Sequence, residues 1–153
     1  MITPTPKQLN EIAENLECGF RCFWNTKTGE LVSLPDNRDP GYYDDEGDLD
    51  KEYDRVEAEG DNFLELEKPG SGASYQIMED FAHSLKNKGL KNRLLAALEK
   101  RKPFREFRHV VDNAGDYRDD WFAFRHSKFR ERVQEQIEWM LEQERQEEEE
   151  EES

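Results

Sequence analysis

The sequence predicts an α+β fold: a small three-stranded antiparallel sheet with an N-terminal helix and a larger helical C-terminal part. Three observations carry this. A capped, one-faced apolar period stands near the start, two short aromatic and aliphatic runs are joined by a turn, and from Ala73 onward apolar residues recur at helical spacing.

The opening helix is set by Thr5 as N-cap, Pro6 at the first helical position and Gln8 placed to reach back in a capping box. Leu9, Ile12, Ala13 and Leu16 then share one face, and Gly19 stops the helix. Phe20 to Asn25 and Glu30 to Leu34 read as a β-hairpin, because Thr26, Lys27, Thr28 and Gly29 between them are turn chemistry. Phe63 to Leu66 supplies a third strand, which a hairpin needs for stability in water. Within the acidic stretch from Asp36 to Asp61, Leu49, Tyr53 and Val56 fall at spacings of four and three, the pattern of a helix from about Asp48 to Ala58.

Three apolar stripes follow: Ile77, Met78, Phe81 and Leu85; Leu90, Leu94, Leu95 and Leu98; and Phe104, Phe107, Val110 and Val111. Gly89 and Pro103 punctuate them. Asp116 can cap a further helix carrying Trp121 and Phe124, Ser127 marks a break where a new helix can start, and Phe129, Val133, Ile137, Met140 and Leu141 continue the period. Four or five helices are expected here. The run Glu147 to Glu152 has no apolar partner and reads as a solvated tail. The length of 153 residues fits one domain, placed at 1–146 with a flexible acidic segment at 36–61, and a disordered acidic tail at 147–153.

The net charge of −15 is unevenly spread. Residues 36–61 carry 3 basic and 12 acidic groups and residues 134–153 carry 1 and 10, whereas residues 99–133 carry 10 and 7. A field of that sign repels nucleic acid and anionic membrane at long range, although a local basic face can still meet a phosphate. No apolar stretch is long enough to span a bilayer, and Met1 to Lys7 lacks the apolar core of a secretory signal, so a cytoplasmic protein is expected. Cys18 and Cys22 would lie about 13 Å apart if the segment between them is extended, too far for a disulfide, and are expected as free thiols.

Motifs for chemistry do not complete themselves. Aligning Gly47 with the glycine of a calcium-binding EF-hand loop puts Tyr42 and Tyr53 where carboxylates are required. Gly70-Ser71-Gly72 lies between a strand and a helix but lacks the remaining glycines, or the lysine and hydroxyl, of a phosphate-cradling loop. His83, His109 and His126 have no recognisable motif partner, and neither cysteine is read as an activated thiolate. No catalytic residue, metal ligand or cofactor is assigned.

The most distinctive signal is the aromatic set Phe104, Phe107, Trp121 and Phe124, with Arg101, Arg105, Arg108 and Arg125 around it. Three-residue spacing puts each aromatic pair on one helix face. Two uses stay open: the faces pack on each other as core, or they form a groove for a partner's apolar segment. The arginines likewise either pair with Asp112, Asp116, Asp119 or Asp120 of the same chain or bind a phosphate or carboxylate. Arg101, Arg105 and Arg108 share a face only if helix continues across Pro103.

The order of these features resembles a bacterial family catalogued as uncharacterised, number one hundred and fifty-eight of its series. The matching pieces are the opening helix with Leu9 and Ile12, the turn Asn25 to Glu30 with its aliphatic strand, and Tyr75 to Phe81. Phe104-Arg105-Glu106-Phe107-Arg108, Trp121-Phe122-Ala123-Phe124-Arg125 and Trp139 to Leu141 complete it. Members often carry Gly-Ala-Phe where this chain has Lys102-Pro103-Phe104, and a Trp-Leu pair where it has Trp139-Met140-Leu141. The resemblance implies the same fold and transfers no activity.

The function expected from the sequence is a non-enzymatic protein-interaction or regulatory module using the basic, aromatic-bearing face at 101–128. A binder of a phosphorylated ligand or nucleic acid through the same arginines is the alternative, and a hydrolase with no recognisable motif is a third.

Overall fold

A computed structural model describes residues 1–152 and shows the α+β architecture: six α-helices and one three-stranded antiparallel sheet among the described residues. The elements run α1 (Pro6–Glu17), β1 (Phe20–Asn25), β2 (Leu31–Pro35), α2 (Asp48–Ala58), a single 3₁₀ turn (Gly60–Asn62), β3 (Phe63–Leu66), α3 (Ser71–Ser84), α4 (Lys88–Leu98), α5 (Pro103–Asp112) and α6 (Tyr117–Glu152). Where the sequence suggests one domain, the contacts divide the chain into two compact units. One comprises residues 1–68 and 129–153, the other residues 69–128.

The first unit is organised around β1, the middle strand of the order β2-β1-β3. Its side chains alternate between two covered faces. Cys22 and Trp24 point to the side of α1, where the Cys22 thiol reaches the carbonyl of Ile12 and Asn15 donates to the Ser33 hydroxyl at 3.0 Å. The capping box forms as the sequence predicts, with Thr5 Oγ1 accepting from the Gln8 amide and Gln8 Oε1 from the Thr5 amide. Leu9, Ile12, Ala13 and Leu16 are the buried face of α1.

On the opposite side, Phe23, Val32, Leu34 and Val56 form a core cluster with Leu49, Tyr53 and Phe63 packed against it. The acidic stretch is thus ordered over α2 because its three apolar points meet this face, and burial there outweighs repulsion among its carboxylates. Arg21 closes the cluster's edge. Its guanidinium makes a two-bond pair with Glu65 at 2.7 and 3.0 Å, donates to Asn37 at 2.9 Å, and lies 5.1 Å from the Phe23 ring and 5.4 Å from the Tyr53 ring. This planar two-bond geometry is one that lysine cannot reproduce.

Buried Asn25 ends β1 by accepting from the amides of both Lys27 and Thr28. Gly29, at φ +77°, then lets the chain return to β2. At the N-terminus the Trp24 indole donates to the Ile2 carbonyl at 2.8 Å. From 129 onward α6 belongs to this unit: Phe129, Val133 and Ile137 are its buried stripe, and the Gln136 amide makes two reciprocal bonds with the backbone of Glu67, at 2.9 and 3.0 Å.

In the second unit α3, α4 and α5 pack in sequence, α3 on α4 and α4 on α5. Tyr75 at the start of α3 donates to the Leu98 carbonyl at the end of α4. Asn87, not a glycine, sets the start of α4: its side chain accepts from the Leu90 amide, and Gly89 falls inside the first turn. Pro103 opens α5, so helix does not cross it.

Two expectations for α6 need correction. Ser127 does not break the helix, because its hydroxyl is satisfied internally by donation to the Phe124 carbonyl at 2.9 Å. The acidic run expected to be a disordered tail is helical through Glu152, although exposed from Arg145 on. Glutamate is a good helix former, and extending an existing helix adds a hydrogen bond per residue without a new nucleus, which offsets like-charge repulsion.

Truncating Trp24 to alanine should cost about 3 to 5 kcal/mol of first-unit stability, measured by urea denaturation, because it empties a fully buried site between sheet and helix. A pH dependence follows from Asp36, whose carboxylate is held to about 2 chiefly by the Arg38 side chain, which bonds it at 2.9 and 3.1 Å, and by the Arg38 amide. The folded value lies below the usual carboxylate value of about 4, so this contribution is present above that value and lost as pH falls through about 2. Carboxyl NMR titration should place the Asp36 midpoint near the lower value and return it toward the ordinary range in Arg38→Ala.

Candidate functional site

The site predicted from the sequence lies on α5, the loop before it and the first part of α6, all in the second unit. Trp121 is the hub of the aromatic set and is only 6% exposed. Its ring meets Phe107 edge-on at 4.9 Å and Phe81 at 5.3 Å, while Phe81 also meets Phe124 at 5.4 Å. Phe107 is wholly buried and Phe124 half-buried. Phe107 of α5 and Trp121 of α6 therefore pack on each other, completed by Phe81 of α3, which also carries the contact to Phe124. Tilted and edge-to-face rings at these separations are the favourable arrangement for aromatic quadrupoles.

Phe104 stands apart. It occupies the first turn of α5 and is 39% exposed. Around it Arg101, Lys102, Arg105 and Arg108 are all exposed. Because α4 ends at Leu98 and α5 begins at Pro103, Arg101 sits in the connecting loop, and only Arg105 and Arg108 share a helix. The intramolecular pairing open from the sequence is made in part: Arg108 lies 3.8 Å from Asp112, which also accepts from Arg118 at 3.1 Å, and Arg105 lies 3.3 Å from Glu106. Pairs with both groups this exposed contribute little, and they leave most guanidinium donors facing water.

Arg125 is half-buried on α6, four residues beyond Trp121, and Lys128 lies over the Phe124 ring at 5.5 Å. The structure thus brings Phe107, Trp121 and Phe124 together in the interior. It leaves Arg101, Phe104, Arg105 and Arg108 as a surface.

The other chemistry-bearing residues are dispersed. His83 and His109 are exposed on α3 and α5, and His126 is half-buried on α6. Burial pushes the Cys22 thiol up, against an opposing hydrogen bond with Ser33, so Cys22 is a packed thiol and not a thiolate nucleophile. Cys18 is exposed, and both cysteines are free. Among the described residues no three His, Cys, Asp or Glu side chains are placed to hold one metal ion, and no helix is long and apolar enough to cross a membrane.

Sequence reasoning passed over two residues. Phe81 was assigned to a stripe of α3, and only its place in the fold reveals it as a third wall of the Trp121 cluster. Trp139, in the first unit, is 61% exposed beside exposed Leu141. Its offset from the buried Phe129-Val133-Ile137 stripe is the signal that could have marked it as a surface tryptophan.

Core and surface separate experimentally. Trp121→Ala should destabilise the second unit by about 3 to 5 kcal/mol, the cost of emptying an aromatic core site. Arg105→Glu/Arg108→Glu should leave stability within roughly 0.5 kcal/mol, as exposed substitutions do. Thermal denaturation followed by near-ultraviolet circular dichroism measures both.

No curated protein and no solved structure matches the chain. The model of the Uncharacterised protein family UPF0158 matches residues 41–152, which takes in α2, β3 and every later helix. The opening helix and hairpin, counted in the resemblance read from the sequence, lie before the matched span. With nearly three quarters of its length matched, the chain belongs to the Uncharacterised protein family UPF0158.

Proposed function

We propose that this protein is a non-enzymatic interaction module that binds another protein through the surface formed by Arg101, Lys102, Phe104, Arg105 and Arg108. The observation that carries the reading is Phe104: a large aromatic side chain, 39% exposed, flanked along the chain by exposed cations in a protein whose net charge is −15. An aromatic anchor ringed by arginine is the composition enriched at binding hot spots. The partner that fits presents an acidic surface with an apolar side chain to meet Phe104, and opposite charge speeds and orients its encounter.

Phe107, Trp121 and Phe124 serve this surface indirectly, since the packed aromatic cluster fixes α5 and so the directions of Arg105 and Arg108. Free cysteines at 18 and 22 agree with a cytoplasmic setting, where thiols stay reduced. The same guanidinium groups are the donors that a phosphorylated ligand or nucleic acid would use, so the experiment must separate the two classes.

Wild-type protein, Phe104→Ala and Arg105→Glu/Arg108→Glu are immobilised and exposed to cell lysate, with nuclease added to parallel samples. The proposal predicts a protein that wild type retains through nuclease treatment and that both variants lose. Retention of nucleic acid alone, or of the same proteins by all three baits, overturns it.

A further inference from the structure

The outer edge of β3 is the second surface in the molecule with the shape of a recognition element. As an edge strand of the sheet, β3 pairs with β1 on one side only. In an antiparallel ladder the backbone groups of alternate residues point to opposite edges. The Thr26 amide donates to the Asn62 carbonyl, which sets the parity: Asn62, Leu64 and Leu66 turn their backbone toward β1. Phe63, Glu65 and Glu67 therefore turn theirs outward.

Glu67 confirms this, because its N–H and C=O are both taken from outside by the Gln136 side chain, at 3.0 and 2.9 Å. A primary amide that gives and receives at one residue reproduces the bonding of a residue on a neighbouring antiparallel strand. Gln136 thus occupies one position of an absent fourth strand. The Phe63 amide is used by the 3₁₀ turn, bonding the Gly60 carbonyl, which leaves the N–H and C=O of Glu65 and the C=O of Phe63 along the edge.

Beside that edge lies a groove of about 400 Å³, walled by Leu64 and Glu65 of β3 and by Arg132, Glu135, Gln136, Trp139 and Met140 of α6. Trp139 stands over it 61% exposed. The Glu65 carboxylate is already engaged by Arg21. Arg132 is one cation of the groove wall, but Glu67 and Glu135 also line it and Glu138 and Glu142 follow on α6, so the charge around the groove is net negative.

We infer that the β3 edge and the groove beside it bind an extended, basic segment of another protein by strand addition. Its backbone pairs with Glu65 and Phe63, an apolar side chain enters the groove between Leu64 and Trp139, and its cations face the carboxylates of α6. Backbone pairing at an edge supplies affinity, and alternate side chains supply the choice of partner. A second copy of this chain is the poorer occupant, since two bodies of charge −15 repel. This site is in the other unit from the α5 surface and does not depend on it.

The test uses the full chain and fluorescein-labelled nonapeptides of alternating lysine and valine, read by fluorescence anisotropy, with a glutamate and valine counterpart. Two further lysine and valine peptides carry N-methyl groups on alternate residues, one set in each register. Only the set that removes amides facing β3 should abolish binding, and Trp139→Ala should weaken it by about tenfold or more, the loss of an aromatic anchor. Arg105→Glu/Arg108→Glu should leave this binding unchanged, so its outcome is separate from that of the α5 surface. Absence of saturable binding, equal binding of the acidic peptide, equal effects of the two N-methylated sets, or concentration-dependent dimerisation that covers the edge would each overturn the inference.

Discussion

The first unit depends on a strand that has no free side. β1 meets β2 along one edge over Phe20 to Trp24 and β3 along the other over Cys22 to Asn25, with α1 beneath Cys22 and Trp24 and α2 above Phe23. Everything else in this unit is placed by reference to it. Ile2 is held by the Trp24 indole, the hairpin turn by the Asn25 side chain, and β3 by both the backbone ladder and the Arg21 to Glu65 pair. Strand pairing alone would leave three short strands marginal in water, and it is the covering of both faces that makes them a core.

Trp121 plays the corresponding part in the second unit. One ring contacts Phe107 and Phe81, and through Phe81 the cluster reaches Phe124, so three helices are fixed by aromatic contacts of about 5 Å. That cluster also explains why a cationic surface can persist in an acidic chain. Arg105 and Arg108 are carried by a helix whose position the buried aromatics already determine, so their charged ends are free of any structural duty beyond weak pairs with Glu106 and Asp112.

How much of this could be read from the residues follows the range of each signal. Local chemistry is legible: the Thr5 capping box, the turn at Asn25 to Gly29 and the boundary at Pro103 depend on neighbours within a few positions, while the helix from Asp48 to Ala58 shows in its apolar spacing and is held by the sheet it covers. At Ser127 and the terminal glutamates, cap preference and charge repulsion point away from helix, and the long helix already in place around them outweighs both. For the site, three-residue spacing identified Phe104 with Phe107 and Trp121 with Phe124 as pairs. It does not say that Phe107 is buried and Phe104 exposed, since that depends on how Phe81 of α3 and Trp121 of α6 pack around α5. Nor could periodicity show Gln136 acting as a strand substitute, because its partner Glu67 is 69 residues away.

The central claim is that β1 is the strand on which the first unit depends, and native-state hydrogen exchange tests it most directly. The amides of Cys22 to Asn25 should exchange last in that unit, and only through an opening whose urea dependence matches unfolding of the unit as a whole. If those amides exchanged before the buried turns of α1, or through a local opening insensitive to urea, the sheet would not be the organising element and the account would be contradicted.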